Sequence, residues 1–130
     1  MNEPTKPYEL TFEQRQHYLY ARITADKTNV AKALDYWKAM IEKCRELDIN
    51  RLLVEQIIPG GLDTTETFKV ATEVTAMGIQ GIKIAFVDPD TELYEAHQFG
   101  ELVGGNRGAW SKVFTTVPEA ENWLLQGMTS

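Results

Sequence analysis

Two sets of residues in this chain have the types and spacing to do chemistry. The first is the run Pro59-Gly-Gly-Leu-Asp-Thr-Thr, which lies between an apolar stretch and an amphipathic one. Gly60 and Gly61 permit a tight turn, and backbone amides at the following helix start could hold an anion, with Thr64 and Thr65 adding hydroxyls. Asp63 followed three residues later by Glu66 also spells a capping box. Asp63 is itself an anion at that spot, so the turn-and-cap reading takes precedence over anion binding. The second set is Glu55, Asp88, Asn106 and Arg107, each at or near the end of an element. Together they could form a polar pocket, or an internal ion pair that joins loops, which is the simpler expectation. Glu55 interrupts an apolar strand and needs a partner or a path to solvent. If Glu55 and Asp88 converged with His97, they would make the acid–base groups of a small enzyme, which is the alternative reading.

Other candidates have plainer explanations. Asp88, Asp90 and Glu92 open like a calcium loop, but Leu93 and Phe99 stand where its glycine and bidentate glutamate belong. Capping of a helix start accounts for them better, and with Glu95 and Glu101 they give an acidic face. Cys44 falls on an apolar stripe, as a structural thiol does. His17 sits at a turn, and two histidines without a second soft ligand do not make a zinc site. Serine occurs only at positions 111 and 130, outside any nucleophile-elbow motif. Gly104-Gly-Asn-Arg-Gly follows a helix and lacks the Lys-Ser/Thr of a phosphate-binding loop. No catalytic residue, metal or cofactor is expected.

The elements that must position these residues follow from periodicity. Residues 1–7 read as a flexible tail and 8–127 as one domain. Tyr8, Leu10 and Phe12 alternate with polar residues, as in a strand. Tyr18 to Ile23 forms a second strand, apolar on both faces, and the short break at Gln14–Gln16 suggests a hairpin. Val30, Leu34, Trp37, Ile41 and Cys44 recur at helical spacing over about 29–48, with Thr28 or Asn29 as cap and Asn50 at the left-handed end. Leu52 to Ile58 is a near-continuous apolar run, the mark of a central strand. A threonine-rich helix then runs from Asp63 to Met77, held by packing of Phe68, Ala71 and Val74. Ile82 to Val87 is a strand, and Leu93, Ala96, Gly100 and Val103 lie on one face of a third helix. Val113 and Phe114 form a short strand. Thr116 with Glu119 repeats the capping-box pattern before a last helix with Pro118 in its first turn. The order β-β-α-β-α-β-α-β-α predicts an α/β fold with a mixed, mostly parallel sheet and about four helices.

Bulk composition narrows the function classes. The chain has 130 residues, 43% hydrophobic and 25% charged, enough for one core without disulfides. The net charge of −6 argues against nucleic-acid binding, which needs clustered Lys and Arg. A single cysteine points to a reducing, cytoplasmic setting, and no stretch has the ~20 apolar residues of a membrane span.

Three passages resemble the STAS domain, the SpoIIAA-like fold of the anti-sigma-factor antagonists. Arg51-Leu-Leu-Val-Glu-Gln-Ile-Ile looks like its central strand. Asp63-Thr64-Thr65 stands where members carry Asp-Ser-Ser-Gly or Asp-Thr-Ser-Gly. Val113-Phe-Thr-Thr-Val-Pro-Glu-Ala-Glu-Asn-Trp-Leu is similar to its last strand and helix. The resemblance implies a SpoIIAA-like fold and a non-enzymatic binding or regulatory module. Such a module would recognise a protein partner or a small apolar or anionic ligand. In regulatory members the hydroxyl before that glycine is phosphorylated, which places Thr65 first and Thr64 second, although Glu66 replaces the glycine here. A homodimer using the exposed hairpin surface is a further, structural role.

Overall fold

A computed structural model describes residues 8–128; the expected tail at 1–7 lies outside the described residues. The elements are β1 (Glu9–Gln14), β2 (Leu19–Thr24), α1 (Val30–Leu47), β3 (Arg51–Ile57), α2 (Thr64–Thr75), β4 (Lys83–Val87), a 3-10 turn (Thr91–Leu93), α3 (Tyr94–Gly105), β5 (Trp110–Phe114) and α4 (Val117–Leu124). This is the α/β order read from the sequence. The five strands lie side by side in chain order, with β1 antiparallel to β2 and every other pair parallel. Arg15 N–H donates to the Tyr18 carbonyl and closes the β1–β2 hairpin.

The sheet advances in one direction, so successive crossovers of one hand place α1, α2 and α3 on the same face. Leu19, Ala21, Ile23, Leu52, Val54 and Ile84 point there, against Tyr36, Met40, Ile41 and Cys44 of α1 and Val70 and Val74 of α2. Helix α4 covers the other face, packing Ala120 and Leu124 on Tyr18, Leu53, Ala85 and Val87. α4 lies mainly over β3, β4 and β5 and meets Tyr18 at the start of β2, which leaves most of the β1–β2 half of that face uncovered by it. Strand β2 is therefore buried on one face, not two. Its second face carries Tyr18, Tyr20 and Arg22, and Arg22 is exposed.

Lys83 points toward α4 and is buried at 5% exposure. Its Nζ donates to the Trp123 carbonyl at 2.8 Å and lies 4.5 Å from the Trp123 ring centroid. Arg51 Nε donates to the Leu124 carbonyl at 3.3 Å. Two cations thus meet the carbonyl end of α4, where the helix dipole favours positive charge. Burial lowers the Lys83 pKa, and the Arg51 charge lowers it further.

Several local expectations are corrected. Asn29 caps α1, but Asp48, not Asn50, takes the left-handed position at its end, with φ of 56°. Phe68 does not hold α2; it is 44% exposed, and Val70, Val74 and Thr75 are the buried residues. The Thr116–Glu119 capping box does not form: Thr116 Oγ1 donates to the Glu119 carboxylate and accepts no backbone N–H at the helix start. Among the described residues no helix is long and apolar enough to cross a membrane.

Candidate functional site

Helix α2 packs between α1 and α3 and turns Val70 and Val74 toward the core that Leu52, Val54 and Ile84 of the sheet share. Its close approach to α3 depends on Gly100, where a Cβ would lie 3.2 Å from Thr67 Cγ2, whereas a Cβ on Gly104 would meet Thr75 Cγ2 at an ordinary 3.7 Å. Between α2 and the sheet remains a cavity of about 130 Å³. Ala33 and Trp37 wall it from α1, Val70 and Val74 roof it, and Ile84 and Phe86 floor it. The lining is mainly apolar. Where water does not fill it, such a space forfeits packing attraction on both of its walls.

Its polar groups come from both sides. On the α1 side Tyr36 donates from its hydroxyl to Gln56 Oε1 at 3.2 Å and meets Thr28 Oγ1 at 3.3 Å. Burial pushes the Tyr36 phenol up, so it stays a neutral donor. Gln56 is 5% exposed and uses one end of its carboxamide on Tyr36; the other end has no protein partner among the described residues. On the α3 side Glu101 Oε1 accepts the Val113 backbone N–H at 2.8 Å. The His97 ring lies 4.7 Å from the Phe86 ring, and Phe86 in turn stacks on Trp37 at 6.2 Å and 16°. His97 Nε2 lies 2.8 Å from Asp88 Oδ2, and Asp88 Oδ1 accepts the Asp90 N–H. An ionised Asp88 can only accept, so it assigns the proton of this pair to Nε2 and leaves Nδ1 uncommitted.

The residues singled out in the sequence do not form one site. Asp88 and His97 do come together, at the rim of the cavity floor. Glu55 is on the opposite face of the sheet, where it accepts the Tyr20 hydroxyl and lies 3.7 Å from Arg22 Nε. Burial, and then the bond to Glu55, push the Tyr20 phenol up to about 12. The three groups of the acid–base alternative therefore do not converge. Asn106 and Arg107 form the exposed end of α3. Arg107 meets no carboxylate among the described residues; its guanidinium lies 5.3 Å from the Phe68 ring centroid and donates to the Val103 carbonyl. The expected ion pair between loops is replaced by these separate partners.

The 59–65 loop is a turn and a cap. Gly60 and Gly61 have φ of 79° and 57°, which a side chain would strain. Asp63 Oδ1 accepts the Glu66 N–H at 2.7 Å, and Glu66 Oε1 accepts the Asp63 N–H at 3.0 Å. Thr64 and Thr65 are exposed. Asp90 likewise caps the 3-10 turn through the Glu92 N–H, and no group of three or more metal-ligating side chains occurs among the described residues. Cys44 is buried, and burial pushes its thiol up to about 11, away from nucleophilic use.

Sequence reasoning missed Tyr36 and Gln56, and signals for both existed. Tyr36 falls on the same helical stripe as Ala33, Met40 and Cys44. Gln56 falls in step with Leu52, Val54 and Ile58, a polar residue in the inward register of a buried strand. Gly100 inside a helical pattern was the sign of a close approach by a neighbouring element. No model of a known protein family matches this sequence, and no curated protein matches it either.

Proposed function

We propose that this chain is a non-enzymatic, STAS-like binding module that takes a small, mainly apolar ligand into the cavity between α2 and the sheet. The observation that carries this reading is the cavity itself. It is close in size to the ~150 Å³ apolar cavity that is known to admit benzene in another protein. Its wall is apolar and aromatic with a few polar groups at defined places, the usual make-up of a small-molecule site. The fold adds support. A leading hairpin followed by three β-α crossovers in chain order, with one helix on the far face, is consistent with the STAS resemblance of residues 51–58, 63–65 and 113–124.

Helix α2 is the natural way in. It carries threonines of modest helix propensity, has its closest neighbours in α1 and α3, and is flanked by glycines 60, 61 and 78 at positive φ. The test is an amide-resolved NMR titration with toluene, preceded by native mass spectrometry of freshly purified protein to find a retained ligand. Saturable shifts confined to residues around Ala71, Val74, Gly100 and Gly104 are expected. A spectrum unmoved at the solubility limit of toluene, from protein that carries no retained ligand, would refute the reading.

A further inference from the structure

Beside the cavity the fold buries a hydrogen-bond donor that it does not use. Gln56 is 5% exposed, and its side chain lines the cavity next to Tyr36 of α1. Its Oε1 accepts the Tyr36 hydroxyl at 3.2 Å. Tyr36 spends its single proton there, so at the 3.3 Å contact with Thr28 Oγ1 it is Thr28 that donates. The relay from Thr28 through Tyr36 ends on Gln56 Oε1 and leaves Nε2 on the far side of the planar carboxamide. Nε2 has no protein partner among the described residues, yet it is not sealed in. Thr72 Oγ1, elsewhere on α2, is the one unpartnered side-chain atom among those residues that is closed off completely. Nε2 therefore opens onto the space that its side chain lines.

A donor at that place selects among ligands. Whatever comes between Nε2 and solvent must return an acceptor, or leave the N–H buried and unpaired. A hydrocarbon returns none. An ammonium group offers only protons and would set donor against donor. A carboxylate accepts, but no Lys or Arg lines the cavity to balance its charge, and the Glu101 carboxylate does line it. A neutral carbonyl oxygen meets the requirement, because it accepts, carries no net charge and brings no proton that needs a partner of its own. The rest of the wall is mainly apolar, with Leu62, Val70 and Ile84 beside the Trp37 and Phe86 rings, and suits a hydrocarbon body.

Resting on the cavity reading above, we propose that the natural ligand is a small neutral carbonyl compound, of the ketone or ester kind, whose oxygen accepts from Gln56 Nε2 while its apolar body lies between α2 and the sheet. The test titrates toluene and three probes of similar shape, ethylbenzene, acetophenone and α-methylbenzylamine, into the whole chain by NMR. Acetophenone should bind more tightly than the amine. Gln56→Met keeps roughly the length of the side chain and removes the donor. In this variant the preference for acetophenone over ethylbenzene should fall about fivefold, the worth of one neutral hydrogen bond. A merely structural role for Gln56 would weaken both probes alike. The infrared carbonyl stretch of isotope-labelled acetophenone gives a readout on the unaltered protein. It should move to lower frequency in the complex, as a hydrogen-bonded carbonyl does, and return toward its value in alkane in Gln56→Met. An unshifted stretch in wild type, a shift that survives the substitution, or equal losses of ethylbenzene and acetophenone would overturn the carbonyl assignment, while toluene binding still upheld the cavity. Failure of all four probes, toluene included, would overturn both.

Discussion

Filling the cavity from within should stabilise the protein and close its site together. Ala33 is the position of choice, because it is 1% exposed on α1 and lines the space directly. Leucine is nearly as good a helix former as alanine, so Ala33→Leu leaves intrinsic propensity almost untouched. The change adds three carbons, and at ~0.8 kcal/mol per buried methylene their transfer is worth about 2.4 kcal/mol. Fixing the leucine rotamer costs roughly 0.5–1 kcal/mol. The net gain is then about 1.5 kcal/mol, and with a urea slope of roughly 1–3 kcal/mol/M the midpoint should rise by about 0.5–1.5 M. The same variant should lose saturable toluene binding. If instead the space is already filled by neighbouring side chains, the leucine overpacks the core and lowers stability by about 1–3 kcal/mol. A lowered midpoint with toluene binding retained would refute the placement of the cavity beneath α2.

The remaining predictions concern the walls around that space. Asp63→Ala should cost about 1 kcal/mol in urea unfolding through loss of the reciprocal cap with Glu66, without preventing folding. Phe68→Ala should cost about 1 kcal/mol or less, because the ring is exposed and mainly meets Arg107; a loss of about 3–5 kcal/mol, typical of a buried aromatic, would mean that the helix is rotated from its described phase. The Tyr20 phenol is raised from 10.0 to about 12 in the folded state, so its contribution is complete below pH 10 and is lost as pH rises toward 12. Wild type should accordingly lose stability relative to Tyr20→Phe across that window, and parallel pH profiles would contradict the Tyr20–Glu55 bond. Thr65 should carry no phosphate in protein from its native source: Asp63 and Glu66 flank it, and no Lys or Arg lies between Arg51 and Lys69 to pair with a dianion. Substantial occupancy at Thr64 or Thr65 by phosphopeptide mapping would restore the partner-switch reading.

The element order was legible because each segment has one clear period bounded by Gly, Pro or a cap. What misled was local chemistry with two outcomes. Tyr18 and Tyr20 count as apolar in an alternation, yet each carries its hydroxyl to a carboxylate, Glu121 and Glu55, on a face that helices cover only in part. Tyrosine has an apolar body and a polar tip, so it suits a half-covered sheet as well as a core. Phe68 is the largest apolar residue of α2, but α2 turns its smaller residues inward, since Val70, Ala71 and Val74 fit against α1 and α3. Thr116 and Glu119 have capping-box spacing, but their side chains bond to each other. The cavity had no direct sequence sign, because it is made of missing atoms. Only its consequences were written, in one mid-helix glycine, Gly100, and one glutamine in an apolar register.

The two faces of the sheet bear differently on ligand and partner readings. On the open half, the polar groups are already matched: Glu13 with Arg15 at 2.8 Å, Arg15 stacked 4.2 Å from the Tyr20 centroid, Tyr20 with Glu55, and Glu55 with Arg22. A partner docking there would have to desolvate satisfied ion pairs, which return little when buried. That is how an antiparallel edge facing water is normally finished. Among the described residues the exposed large hydrophobics, Phe68, Leu102 and Trp110, belong to three different elements, α2, α3 and β5, and single exposed apolar residues need no partner to explain them. On the helix-covered face the balance is reversed. The apolar surface there lines a pocket partly open to solvent and incompletely packed, and Gln56 and Glu101 each keep one polar end without a protein partner among the described residues. On the proposed reading of a binding module, paired polar groups on that surface and spare polar ends beside the pocket favour a small molecule over a protein surface as the thing bound.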